Sequence, residues 1–95
     1  MNKPKALKFS VNSSKWVKTP EFGGGECVHY RSPDNTIAVV GFRESGKHSF
    51  KYPFNEFAYV LSGSAKVSVR GGDSFTIGAG DVLYVEEGTH MLFCI

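Results

Sequence analysis

The chain has 95 residues and a formal net charge of +2, with 41% hydrophobic and 14% aromatic residues. This length fits a single domain over residues 1–95 with a small core, to which dimerisation would add buried apolar surface. No apolar run approaches the length of a membrane span, and the N-terminal stretch lacks the apolar segment of a secretory signal. These features predict a cytoplasmic protein that does not bind a membrane.

The N-terminal arm, residues 1–20, is basic. It contains five lysines and no acidic residue, so the rest of the chain is net acidic. The lysines are scattered and no arginine accompanies them, which is typical of a solvated arm. We therefore expect no contact with nucleic acid.

Glycine or proline interrupts the chain every few residues after position 19, and apolar residues alternate with polar ones in the segments between. A repeat of two residues indicates strands, and short strands at this spacing are typical of a sandwich or barrel. We expect no helix longer than about two turns. The predicted strands are 6–10, 26–30, 36–43, 47–52, 56–61, 64–70, 74–77, 82–85 and 90–95.

Three of these segments carry more information than the rest. The segment 64–77 predicts a hairpin, because "AKVSVR" and "SFTI" flank a glycine turn. "FAYVL" and "DVLYV" are apolar on both faces, so each strand should be covered twice. We expect a homodimer in which the outward side chains Phe57, Tyr59 or Leu61 contribute contacts.

The chain contains two cysteines, Cys27 and Cys94, and neither belongs to a C-x-x-C motif. Together with the absence of a signal segment, this predicts free thiols in the cytosol. We expect both side chains to be small apolar members of the core. The alternative is a nucleophilic cysteine activated by His29 or His90.

Two stretches resemble the motifs of the cupin family. The end of the first cupin motif, E-x6-G, is matched by Glu56 and Gly63, and "GAGDVLYVEEGTH" matches the second motif in Gly80, Asp81 and Gly88. The segment "RESGKHSFKYPFNEFAYVLSG" most resembles the small cupins related to ureidoglycine aminohydrolase and the ethanolamine-utilisation acetate kinase. The resemblance covers residues 36–93.

The resemblance implies an all-β domain, a small β-barrel of the jelly-roll type with residues 36–93 as its barrel segment. It also implies that another strand completes the barrel, supplied by the N-terminal strands or by a second chain. Cupins bind a metal with three imidazoles and one carboxylate. Here the histidine positions of the first motif hold Phe50 and Tyr52, that of the second holds Met91, and its proline is Glu86.

The carboxylate of the implied cupin site, Glu56, is retained. His48, Phe50 and Tyr52 alternate and should point to one side of their strand. A carboxylate among aromatic side chains would have a raised pKa, which suits a general acid or base with Tyr52 as its hydrogen-bonding partner. We therefore predict Glu56 and Tyr52 as the catalytic residues. A structural glutamate held by a backbone amide, Tyr52 or Arg43 is the alternative.

The resemblance places further side chains around this pair. We expect Phe50, Tyr52 and Glu56 to share a cavity, with Met91 or Phe93 on its opposite wall. His90 is one residue from the second-motif position and on the other face unless a bulge shifts it. The predicted ligand-binding residues are Phe50, His48, Met91, Phe93 and His90. We predict no cofactor; the alternative is a divalent transition metal held by Glu56, His48, His90 and Tyr52.

The sequence thus predicts a cupin-like protein that binds a small polar molecule in an aromatic-lined pocket. Two function classes stay open: a metal-independent enzyme that uses Glu56 and Tyr52, or a ligand-binding or regulatory module without turnover. The identity of the ligand does not follow from the sequence, because cupins have many functions.

Overall fold

The structure is a computed structural model that describes residues 6–12 and 15–95. These residues form nine strands and one short 3-10 turn. They are β1 Val17–Thr19, the turn Pro20–Phe22, β2 Gly24–Arg31, β3 Ala38–Arg43, β4 Lys47–Lys51, β5 Glu56–Tyr59, β6 Ser64–Val69, β7 Ser74–Gly78, β8 Val82–Val85 and β9 His90–Cys94. In the described part of the chain, no helix is long and apolar enough to cross a bilayer.

The strands pair antiparallel in three sheets. The N-terminal sheet has the order β1-β2-β3, the large sheet β4-β9-β6-β7, and the small sheet β5-β8. The predicted strands after residue 25 correspond to β2 to β9, and β6 and β7 form the predicted hairpin. Gly71 takes a φ of 78° in its turn, a conformation that favours glycine. The all-β prediction is therefore confirmed.

The predicted strand at 6–10 is wrong. Residues 6–10 have no regular structure, and Leu7 is exposed. The ring of Phe9 instead lies 5.9 Å from that of His29 and 6.1 Å from that of Tyr30. The first strand is β1, which pairs with β2 around the 3-10 turn. Of the alternating residues, Phe9 packs on β2, whereas Leu7 and Val11 are exposed.

The core lies between the inner faces of the large and small sheets. The register places Val67 opposite Phe93 in the large sheet and Ala58 opposite Leu83 in the small sheet. Opposite residues in an antiparallel pair lie on the same face, so these side chains meet between the sheets. The buried cluster consists of Tyr52, Val67, Leu83, Val85, Met91 and Phe93.

The outer face of the small sheet is apolar and exposed. We call it the outer apolar face; it consists of Phe57, Tyr59, Val82 and Tyr84. Phe57 is 77% exposed, and its ring lies 6.2 Å from that of Tyr84 on the neighbouring strand. Leu61, beyond the end of β5, is exposed as well. One chain therefore covers only the inner side of these two apolar strands.

The N-terminal strands form a sheet of their own, and Trp16 packs against it. A Cβ atom on Gly41 would lie 3.1 Å from the Trp16 ring, and one on Gly25 3.8 Å from it. The guanidinium of Arg43 lies over the indole ring, 4.1 Å from the centroid of that ring. Gly41 therefore leaves room for the indole, whereas a side chain at Gly25 would meet it only at ordinary contact distance. Arg43 adds a cation–π contact.

The two cysteines are free and have different environments. Cys27 is buried, as expected, and its Sγ lies 3.9 Å from His29 Nδ1. Cys94 is exposed, so its predicted place in the core is wrong. Cys94 alternates with the buried Phe93 along β9 and consequently lies on the outer face.

Candidate functional site

Tyr52 lies at the end of β4 and points into the core. Its backbone N–H donates to the Thr89 carbonyl at 2.9 Å, and its carbonyl accepts from the Gly88 N–H at 2.7 Å. These bonds continue the β4–β9 pairing by one residue and hold the ring inward. The side chain is 5% exposed.

Glu56 begins β5 and lies opposite the buried Val85 on β8, so its side chain faces inward. Its carboxylate interacts with the Tyr52 phenol. Burial raises the pKa of Glu56, the interaction with the Tyr52 phenol opposes that rise, and a second carboxylate, Glu44, adds to it. The pKa of Tyr52 is also raised, first by burial and then by the Glu56 carboxylate. The phenol is therefore protonated at neutral pH, with its proton available to Glu56.

Aromatic rings pack around Tyr52. Phe50 meets the ring of Tyr52 edge-on with centroids 5.0 Å apart, and Phe54 meets it at 6.3 Å. Phe22, from the 3-10 turn, contacts Phe50 edge-on at 6.0 Å. The turn is held there because the Ser45 N–H donates to the Phe22 carbonyl at 2.9 Å.

His48 belongs to the same inward row. It lies opposite Phe93 in the register, and the two rings stack with centroids 5.3 Å apart. Phe22 covers another side at 5.0 Å. The His48 side chain is 7% exposed, and neither ring nitrogen has a hydrogen-bond partner.

Glu44 joins the cluster, although the sequence analysis did not select it. Its Oε2 lies 3.6 Å from His48 Nε2. Burial raises the pKa of Glu44, and the attraction to His48 opposes that rise. The sequence contained no strand signal for Glu44, because it lies between β3 and β4, where alternation does not apply.

The remaining predicted site residues, Met91, Phe93 and His90, lie on β9. Met91 and Phe93 are opposite Phe50 and His48 on the neighbouring strand β9, so they lie beside them. The expectation that they form the opposite wall is wrong, because β4 and β9 belong to one sheet. The β9 register has no bulge, which leaves His90 on the outer face. There it lines a shallow depression of about 250 Å³.

The residues present do not fit the metal site that the cupin motifs imply. Phe50, Tyr52 and Met91 stand at the histidine positions and offer one phenol oxygen in place of three imidazoles. Over residues 6–12 and 15–95, no group of three or more His, Cys, Asp or Glu side chains is arranged to hold a metal ion. His90, which the alternative ligand set requires, faces away from Glu56. We derive no chemical step through a metal.

Comparison with protein families gives one match. The family model described as the EutQ-like cupin domain matches residues 37–93, which is more than half of the chain. Comparisons with curated proteins and with solved structures returned no match. The match spans β3 to β9 and includes Tyr52 and Glu56. The chain therefore belongs to the family of EutQ-like cupin domains.

Proposed function

We propose that this cupin binds a small polar molecule beside Tyr52 and Glu56 and is an enzyme that works without a metal. One observation carries the proposal: the partly buried Glu56 carboxylate interacts with the phenol of Tyr52, whose buried ring packs against Phe50. Perturbed carboxyl groups of this kind are enriched at functional sites.

The chemistry assigned to the pair is proton transfer. A carboxyl group with a raised pKa keeps its proton to a higher pH than a solvated one and can exchange it with a bound molecule, so Glu56 is the general acid or base. Tyr52 keeps its proton and positions the carboxylate. A ligand atom that displaces the Tyr52 phenol from Glu56 contacts the carboxylate directly.

The surrounding side chains define the shape of the ligand. Phe50 and His48 supply flat faces, and Met91 and Phe93 support them from the neighbouring strand. Such a lining favours a molecule with an apolar or flat body and one polar group. His90 lies on the outer face, so we leave it out of the proposed site.

A chemical-shift titration of the ¹⁵N-labelled protein tests the binding proposal. The probes are propylammonium, propionate, propanol and propionamide, which share a body and differ in the polar group. We expect at least one to perturb the amides around Tyr52 and Glu56. Glu56→Gln should weaken that response, whereas Glu87→Gln, on an exposed turn, should not. Absence of any response from all four probes would overturn the proposal.

Calorimetry in two buffers of different ionisation enthalpy separates the enzyme from its alternative. If Glu56 exchanges a proton with the bound probe, the apparent binding enthalpy depends on the buffer, and Glu56→Gln removes the dependence. A buffer-independent enthalpy would place the protein with ligand-binding or regulatory modules and contradict the catalytic assignment.

We further propose a cytoplasmic homodimer that forms through the outer apolar face. The free cysteines fit a reducing compartment. Phe57 and Tyr84 lie opposite each other, as do Tyr59 and Val82, so one contiguous apolar surface is available to a second copy. Exposed apolar surface of this kind marks interaction sites.

A further inference from the structure

The outer face of the large sheet is basic. The buried side chains of Val67, Met91 and Phe93 point into the core, so the residues that alternate with them on β6 and β9 point outward. None of the strands β4, β6, β7 and β9 contains an acidic residue, although the chain has nearly as many acidic as basic residues. We call this surface the basic face; its outward cationic side chains are Lys47, Lys51, Lys66, Arg70 and His90.

Three of these cations lie side by side at one end of the basic face. Lys51 is opposite His90 in the β4–β9 register, and the backbone N–H of Arg70 donates to the His90 carbonyl at 2.9 Å. Neighbouring strands lie about 4.8 Å apart, so the three side chains project next to one another. Among residues 6–12 and 15–95, no ion pair involves any of the three. Like charges that face each other across strands are unfavourable, and a bound anion would remove this cost.

A depression beside these cations has room for a small ligand. It has a volume of about 250 Å³, and Ser49 and Ser68 flank the exposed Leu92 there in the register. Ser74 Oγ donates to Ser68 Oγ at 2.9 Å, which leaves the Ser68 hydroxyl proton for a ligand. The side chains of the depression used here are Ser49, Ser68, Arg70, His90 and Leu92.

We propose that this depression binds the phosphate group of a small phosphate monoester, with the phosphate against Arg70, His90 and Lys51 and the ester body on Leu92. A phosphate monoester carries a charge of about −1.5 to −2 near neutral pH, so it compensates more than one cation. A guanidinium binds two of its oxygens at once. A carboxylate has a single charge and would leave the other cations uncompensated. The site lies on the opposite face of the sheet from Tyr52 and is independent of the proposed function.

The distribution of side chains favours a small ester over an extended nucleic acid. The three aromatic residues of these strands, Phe50, Phe75 and Phe93, lie opposite buried side chains and therefore point inward. Single-stranded nucleic acids stack their bases on aromatic side chains, so the basic face offers them no stacking surface. The other two cations, Lys47 and Lys66, lie four residues away along their strands, which is about 13 Å. The charge is therefore concentrated beside the depression.

A titration of the methyl-labelled protein tests the ligand class. The probes are propyl phosphate and propionate, with potassium chloride at the same ionic strength as the control for screening. Propyl phosphate should bind at least about tenfold more tightly than propionate and shift the methyl resonances of Leu92, but not those of the core residue Val67. Equal binding of propionate at Leu92, the same shifts with potassium chloride, or no shift with propyl phosphate would overturn the proposal.

Variants test the role of the cations. Arg70→Gln should weaken propyl phosphate binding about tenfold or more, and His90→Gln at least about threefold. Arg70→Lys should restore only part of the loss, because an ammonium group cannot bind two oxygens as a guanidinium does. Lys18→Gln, which removes one exposed positive charge from β1, is the matched control and should bind normally. Undiminished binding to Arg70→Gln would contradict the site.

The wild-type protein distinguishes a free ester from a phosphate on a larger partner. Vesicles of phosphatidylcholine and phosphatidic acid in equal parts, and a single-stranded thymidine oligonucleotide, present the same group on a membrane and on a nucleic acid. Neither should bind more tightly than propyl phosphate; tighter binding of either would assign the basic face to that macromolecule and overturn the proposal. Nuclear Overhauser contacts between the propyl chain and the Leu92 methyl groups should locate the ester, and their absence would contradict its position.

Discussion

Tyr52 and Glu56 lie on either side of the turn between β4 and β5, and the Tyr52 phenol and the Glu56 carboxylate shift each other's pKa. Tyr52 is fixed by backbone hydrogen bonds to the β8–β9 turn, and Glu56 by its pairing with Val85. The pair is therefore held by two sheets and not by one flexible loop. This rigidity is what a proton-transferring pair requires.

Removing the phenol should change both stability and the Glu56 titration. Tyr52→Phe keeps the ring but removes the donor, so we expect a loss of about 1 kcal/mol in the free energy of unfolding. The Glu56 pKa should rise further, because the Tyr52 phenol is the group that lowers it. Urea unfolding and ¹³C titration check the two effects. Thr76→Val, which removes an exposed hydroxyl, is the control, and an equal loss there would contradict the assignment.

The pH dependence of stability follows from the raised pKa of Glu56. A carboxyl group whose folded pKa lies above its ordinary value of 4.5 makes the folded state bind more protons than the unfolded state. The contribution of Glu56 to the free energy of unfolding is therefore present below pH 4.5. It is lost as pH rises through the pKa that Glu56 has in the folded state. Glu56→Gln should weaken this decline, whereas Glu87→Gln should not. Unfolding curves across acidic and neutral pH measure it, and an unchanged slope in Glu56→Gln would refute the burial of this charge.

Substitution of Met91 tests whether this side chain stabilises the core. It is 1% exposed and belongs to the buried cluster between the sheets. Met91→Ala should cost about 2–5 kcal/mol, the usual range for a buried methionine. Leu92→Ala, on the exposed face of the same strand, should cost much less. Thermal or urea unfolding makes the comparison, and a stable Met91→Ala protein would show that the core is not where the structure places it.

The dimer proposal predicts a change of mass. Tyr59→Lys places a charge in the centre of the outer apolar face, so the homodimer should dissociate while the fold remains intact. Light scattering after size exclusion measures the mass, and circular dichroism the fold. Leu92→Lys, exposed on the large sheet, is the matched control. A monomeric wild-type protein at micromolar concentration would reject the proposed interface.

The fold could be predicted from the sequence because its strands carry period-two patterns between turn residues. β6 and β7 show the clearest patterns, and their predicted bounds lie within about one residue of the observed ones. The segment 6–10 shows the same pattern and is not a strand, because alternation cannot report whether a partner strand is available. β1 is only three residues long and too short for a pattern.

The site could be predicted only in part. Strand parity and the cupin motif identified Tyr52 and Glu56 as neighbours, and the structure brings them together. Glu44 was missed because it lies between β3 and β4, where no strand pattern applies. The positions of Met91 and Phe93 depend on β9 pairing with β4, which is a tertiary fact that one strand cannot reveal.

Trp16 is the only tryptophan in the chain, and it packs on the N-terminal sheet beneath Arg43. The buried cluster around Met91 contains Tyr52 and Phe93 but no indole. Intrinsic tryptophan fluorescence therefore reports the N-terminal sheet, whereas the near-ultraviolet signal of the tyrosines includes the interior of the barrel. The protein thus carries two spectroscopic reporters in different parts of its fold. Their unfolding transitions can be compared without any label, and they coincide only if both parts melt together.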